Sequence, residues 1–121
     1  MNINVIALAY LGDSVYELFI RDFLIKKGIY KVENLQKESL NYVSAKSQAR
    51  ILKSLIEKNI LTEEEINLVK RGRNNNRGYH PKNTDIITYK LATGLETLFG
   101  QLYLDNKIER IKELMSFVEE M

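Results

Sequence analysis

Two carboxylates stand where carboxylates are unexpected. Asp13 follows Gly12 inside a strongly helical run, and Glu96 sits midway along another, with Ala92, Thr93, Phe99 and Gly100 one turn to either side. A glycine within a helix costs roughly 1 kcal/mol relative to alanine, so Gly12 needs a reason. The small residues around Glu96 let a second helix come close and bring another carboxylate within reach. Asp13 belongs to the row Ala9–Asp13–Ile20, beside Tyr16, which is expected to face partly inward. Two carboxylates meeting in a partly buried cleft repel unless a cation or a proton intervenes. An oxygen-only site with room for water and phosphate suits Mg²⁺. The residues alone also allow Asp13 as a cap or turn residue, with Ser14 and Glu17 as a capping box, and Glu96 as an exposed or ion-paired side chain.

The second chemical feature is charge. Between Lys70 and Lys90, six cations (Lys70, Arg71, Arg73, Arg77, Lys82 and Lys90) face Asp85 alone, so the segment carries +5 and the rest of the chain −3. Such a segment is either a footprint for a polyanion or a solvated loop. Cysteine is absent and His80 is the one histidine, which excludes disulfides and thiolate metal sites. Asp13, Glu17, Arg21 and Asp22 interrupt the most apolar stretch, so no membrane span is expected. No basic region followed by an apolar run opens the chain, and a cytoplasmic location is expected.

The elements that position these residues read as helices throughout: an all-α class, one domain over residues 1–121. The 121 residues suffice for one core, and Pro81 is the single proline. The first helix is expected from Ile3 to Lys27, stopping at Gly28, and the second from about Val32 to Tyr42. A third follows Ser44 with Ala49, Leu52, Leu55 and Ile56 as its buried stripe. Thr62 and Glu65 form a capping box opening a fourth, to about Lys70. Arg73 to Asn83 reads as irregular. Asn83 or Thr84 then caps a long helix to Leu104, with Ile87, Leu91, Leu95, Leu98 and Leu102 at helical spacing, and Lys107 to Glu119 closes the chain. Tyr10, Tyr16, Tyr89 and Tyr103 read as packing residues.

The stretch Leu8-Ala9-Tyr10-Leu11-Gly12-Asp13-Ser14-Val15 resembles the signature helix of the ribonuclease III family. Gly94-Leu95-Glu96-Thr97-Leu98-Phe99-Gly100-Gln101-Leu102-Tyr103-Leu104 resembles that family's second motif. Val43-Ser44-Ala45-Lys46-Ser47-Gln48-Ala49, Arg71-Gly72-Arg73-Asn74 and Pro81-Lys82-Asn83-Thr84-Asp85 point to its mini branch. The resemblance runs from about Ile6 to Arg110 and leaves no residues for a separate double-stranded-RNA-binding domain.

That resemblance implies a metal-dependent endoribonuclease cutting double-stranded RNA. Asp13 and Glu96 would be the catalytic residues and ligands of Mg²⁺, with Mn²⁺ able to substitute. The products would carry a 5′-phosphate and a 3′-hydroxyl, and the substrate would be a precursor of large-subunit ribosomal RNA. It also implies a homodimer, for which Phe19, Phe23 and their neighbours offer apolar surface, though a monomer core would use the same residues. Arg71, Arg73, Asn74, Arg77 and Lys82 would contact RNA, Asn75 and Asn76 could assist, and Lys46 falls in a branch motif without an assigned task. Larger family members have two further acidic residues where this chain has Ala9 and Thr93. Glu17, one turn beyond Asp13, is the candidate to support a metal or its waters, with capping or a pair with Arg21 as its alternative. Two rivals follow from the same residues: a non-catalytic helical module binding structured RNA, and a helix-turn-helix DNA-binding protein.

Overall fold

The computed structural model describes residues 3–75 and 85–121, and among these every regular element is an α-helix. In chain order they are α1 (Val5–Lys26), α2 (Val32–Val43), α3 (Ala45–Glu57), α4 (Glu63–Asn74), α5 (Ile86–Leu104) and α6 (Ile108–Glu119). Local chemistry sets most ends. The Asn4 side chain accepts from the Ile6 amide at 2.8 Å to open α1, and Gly28, at φ 106°, takes the left-handed position that stops it. Ser44 caps α3 through the Ser47 amide, and both arms of the Thr62–Glu65 capping box are formed.

Helix α5 is the central element, packed by α1, α3, α4 and α6. Its buried Leu95, Leu98 and Phe99 meet Tyr16, Ile20 and Leu24 of α1, Ile51, Leu52 and Leu55 of α3, and Ile111, Leu114 and Val118 of α6 in one apolar cluster. Burying each such side chain contributes about 2 kcal/mol. The Tyr16 ring meets Phe99 edge-on at 5.2 Å, and its hydroxyl donates to the Tyr42 carbonyl at 2.8 Å, fixing the end of α2.

Several expectations change in three dimensions. Helix α4 runs past Lys70 to Asn74, so Arg73 and Asn74 join Arg71 in a helical last turn rather than opening an irregular stretch. Gly72 is the reason: a Cβ there would stand 2.4 Å from Thr97 Oγ1 and 3.0 Å from Gly94 Cα, so this turn lies directly on α5. Asp85, rather than Asn83 or Thr84, caps α5, accepting from the Thr88 amide at 2.9 Å and from its hydroxyl at 2.8 Å. Asn83 and Thr84 lie outside the described residues, as do Asn76, Arg77, His80, Pro81 and Lys82. Ile56 and Ile87 are exposed, because the first turn of α5 projects beyond the core and Ile56 ends the α3 stripe at its margin. Tyr10 is 83% exposed and Tyr103 45%, against the packing role expected of them. Tyr10 is two residues, or about 200° of helix, from the face that Gly12 turns to α5.

One polar network is built into the scaffold. Arg110 of α6 grips Glu65 of α4 with both ends, Nε to Oε2 at 2.8 Å and Nη2 to Oε1 at 2.7 Å, and also donates to the Ile60 carbonyl. Burial by itself would raise the Glu65 carboxyl, but the Arg110 guanidinium and the Thr62 amide outweigh it and hold the group below its ordinary value of 4.5. The ionised pair therefore stabilises the fold above about pH 4.5, and that contribution is lost as pH falls through the lowered folded value. Arg110→Met is expected to cost about 3 kcal/mol at neutral pH, because it strands a buried carboxylate. The deficit should shrink in acid, where Glu65 protonates. Urea unfolding at pH 7 and pH 3.5 checks this; a deficit that does not change with pH would reject the ionic account.

Candidate active site

The two unexpected carboxylates are brought together by a crossing of backbones. A Cβ on Gly12 would lie 1.7 Å from the Glu96 carbonyl oxygen, and one on Gly100 would lie 2.0 Å from that of Leu8. At those two positions α1 and α5 touch main chain to main chain, a separation only glycine permits. Asp13 is the next residue along α1 from this contact, and Glu96 belongs to the contact itself. Their side chains are within hydrogen-bonding reach of one another.

Asp13 is exposed, not turned inward as its row suggested. It stands about 100° round the helix from Gly12, at the rim of the contact, while Ala9, Tyr16 and Ile20 fill the interior. Glu96 is half-buried. A third helix reaches the same place: Gln48 of α3, 2% exposed, brings its side chain beside Glu96. Burial, followed by the hydrogen bond and charge of Asp13, pushes the Glu96 carboxyl up to about 8, while the Gln48 amide pulls it down.

This electrostatic situation fits a cation. One carboxylate removed from water beside another is stabilised by a positive charge between them. The donors are hard oxygens, and among the described residues no third acidic or histidine side chain joins them to make a closed metal cage. A small cation that keeps several waters and shares a phosphate oxygen matches two carboxylates better than one needing six to eight protein oxygens.

The other residues singled out in the sequence are placed as follows. Glu17 pairs with Arg21 at 2.8 Å on the surface of α1. The Thr93 hydroxyl donates to the Tyr89 carbonyl of its own helix at 3.0 Å, and Ala9 is buried. Lys46 is exposed in the first turn of α3. Arg71 is exposed and Arg73 half-buried, its Nε donating to Asn74 Oδ1 at 3.3 Å. Because Gly72 between the arginines rests on Gly94 and Thr97, the basic turn is anchored to the part of α5 that carries Glu96. Gln48 received no role from the sequence. Its signal was there: four residues before Leu52, it falls in a buried stripe that is otherwise apolar.

Residues 6–107 match the Ribonuclease III domain family. The chain belongs to the ribonuclease III family. It is 45% identical over 115 residues to a Mini-ribonuclease 3 of Streptococcus pneumoniae, covering 95% of this chain and 90% of that one. To a Mini-ribonuclease 3 of Brevibacillus brevis it is 49% identical over 112 residues, covering 93% and 82%. The fold superposes on a crystal structure of a Fusobacterium nucleatum protein with a TM-score of 0.85 and 35% identity, covering 98% of this chain and 93% of the other. As a ribonuclease III family member the chain is an endoribonuclease of double-stranded RNA, in a family that depends on divalent metal.

Proposed function

We propose that Asp13 and Glu96 are the catalytic metal ligands, that the ion is Mg²⁺ with Mn²⁺ as a substitute, and that residues 1–121 form one catalytic domain. The observation that carries this is the convergence of the two carboxylates through the Gly12–Gly100 crossing. When bound, the ion activates a water and neutralises charge building on the attacked phosphate. Asp13, at the exposed rim, and the half-buried Glu96 would hold the cation between them. Water forms the new bond to phosphorus and the bond to the 3′-oxygen breaks, leaving a 5′-phosphate and a 3′-hydroxyl.

Arg71, Arg73 and Asn74, on the last turn of α4, would contact the sugar–phosphate backbone; Arg77 and Lys82 are assigned the same task from the sequence. Duplex RNA is read by shape, phosphates and 2′-hydroxyls across its shallow minor groove, which suits arginine and amide side chains. One such site addresses one strand, so we propose a homodimer. Phe19 and Phe23 pack against the core, and the exposed apolar side chains of α1 include Leu18, 63% exposed, and Ile25, 49% exposed, seven residues apart on one face. A large-subunit ribosomal RNA precursor is the proposed substrate, supported by the similarity to Mini-ribonuclease 3 proteins. A cytoplasmic location accords with this substrate; among the described residues no helix is long and apolar enough to cross a membrane.

The test sets a long RNA duplex beside a DNA duplex of the same sequence, with Mg²⁺, Mn²⁺ or a chelator. Only the RNA should be cut, only with an ion, and with 5′-phosphate ends. Binding without the ion should persist and weaken steeply with salt. Cutting in the presence of chelator, or none with either ion, would reject the metal-site assignment.

A further inference from the structure

Gln48 is a polar side chain in an apolar place. It lines up with the fully buried Leu52 and Leu55 on α3, and its side chain stands beside the Glu96 carboxylate. An amide buried there without a partner would cost about 1–3 kcal/mol, and leucine would fill the stripe with no such risk. What the amide adds is a fixed direction for a flexible carboxylate. Glu96 has three side-chain torsions and, among the described residues, no ion pair to hold it. Asp13, shorter and exposed, leaves Glu96 unrestrained on its buried side. Position 9 offers no polar side-chain atom, and the Thr93 hydroxyl is turned to its own helix.

We propose that Gln48 is a positioning residue whose amide, delivered by a third helix, holds the Glu96 carboxylate in the orientation that receives the cation. The inference rests on the assignment of Asp13 and Glu96 as the metal ligands and adds to it the element that keeps one of them in place. Outer partners of metal ligands are a large part of a site's affinity, and their loss lowers binding or activity about 10–100-fold. Helix α3 thereby becomes part of the active site.

The experiment compares the intact protein with Gln48→Leu, Gln48→Asn and Asp13→Asn. Mn²⁺ binding is followed by electron paramagnetic resonance in the absence of RNA, the Mg²⁺ dependence of duplex cleavage is titrated, and melting temperature and ion-free duplex binding serve as controls. Gln48→Leu should melt at or above the parent temperature and bind duplex normally. Its Mn²⁺ affinity should fall about 10-fold or more, and its half-saturating Mg²⁺ should rise in parallel. Gln48→Asn retracts the amide by one methylene and should show the same loss, which keeps the test open if the leucine variant does not fold. A folded Gln48 variant that binds Mn²⁺ and cuts like the parent, while Asp13→Asn loses the ion, overturns the role of Gln48 alone. If Asp13→Asn retains Mn²⁺ binding, the carboxylate site itself is overturned, and Gln48 with it.

Discussion

Asp13→Asn and Glu96→Gln are each expected to lower the cleavage rate of duplex RNA by about 10³-fold, while binding of the uncut duplex stays within a few-fold of the parent. A loss of that size corresponds to about 4 kcal/mol of transition-state stabilisation, within the several kcal/mol that a bound cation supplies at a phosphate. The two substitutions keep side-chain size and remove the charge that holds the ion, so they separate chemistry from packing. They should differ in one respect. Asp13 is exposed, and its replacement should leave ion-free stability near the parent. Glu96 is half-buried and pushed up to about 8 by burial and by Asp13, so a neutral amide there should raise the melting temperature of the ion-free protein. More stability with less activity is the signature of a site whose charges are arranged for a ligand and not for the fold. A Glu96→Gln protein that still cuts at the parent rate, or both variants losing duplex binding in step with cutting, would remove these residues from the chemistry.

How much of this was legible before the fold was known follows from what kind of information each feature needs. Helix order, the Thr62–Glu65 box and the Gly28 stop are set by neighbours a few residues apart, and the sequence displays them directly. Pairing Asp13 with Glu96 is a long-range fact, yet it too left a local trace, because a backbone crossing demands small residues and Gly12 and Gly100 break their helices' pattern. The errors share one cause. The true end of α4, the exposure of Tyr10 and the rim position of Asp13 all depend on which face of a helix meets a partner, and the apolar period blurs that wherever glycine lets backbones touch. Gly72 illustrates it: it lies beyond the helix end expected near Lys70, but its missing Cβ seats one more turn of α4 on α5. Gln48 was hidden for the opposite reason. A lone amide in an apolar stripe has meaning only once the carboxylate across the helix interface is known.

Gly12→Ala should be among the most damaging small substitutions in the chain. Two effects oppose each other. Alanine favours the helix by about 1 kcal/mol, and at an exposed position that gain would decide the outcome. Here the added methyl would meet the Glu96 carbonyl oxygen at 1.7 Å and the Gly100 nitrogen at 2.8 Å, and both are backbone atoms that no rotamer change can move. The helices must separate, and overpacking of this kind costs about 1–3 kcal/mol, occasionally more. We expect a net destabilisation of about 2 kcal/mol after the propensity gain, from the upper end of that range because both obstacles are backbone. The same separation moves Asp13 away from Glu96, and a misplacement of about 1 Å can cost about 10²-fold in rate, so the folded fraction of Gly12→Ala should also cut poorly. Gly28→Ala is the control: a Cβ there meets nothing, but φ of 106° strains any side chain, so it should cost about 1 kcal/mol and leave cleavage per folded molecule unchanged. Urea unfolding with cleavage normalised to the folded fraction reads both effects. A Gly12→Ala protein as stable and active as the parent would mean that α1 and α5 do not cross through their backbones, and the geometry that brings the two carboxylates together would fall with it.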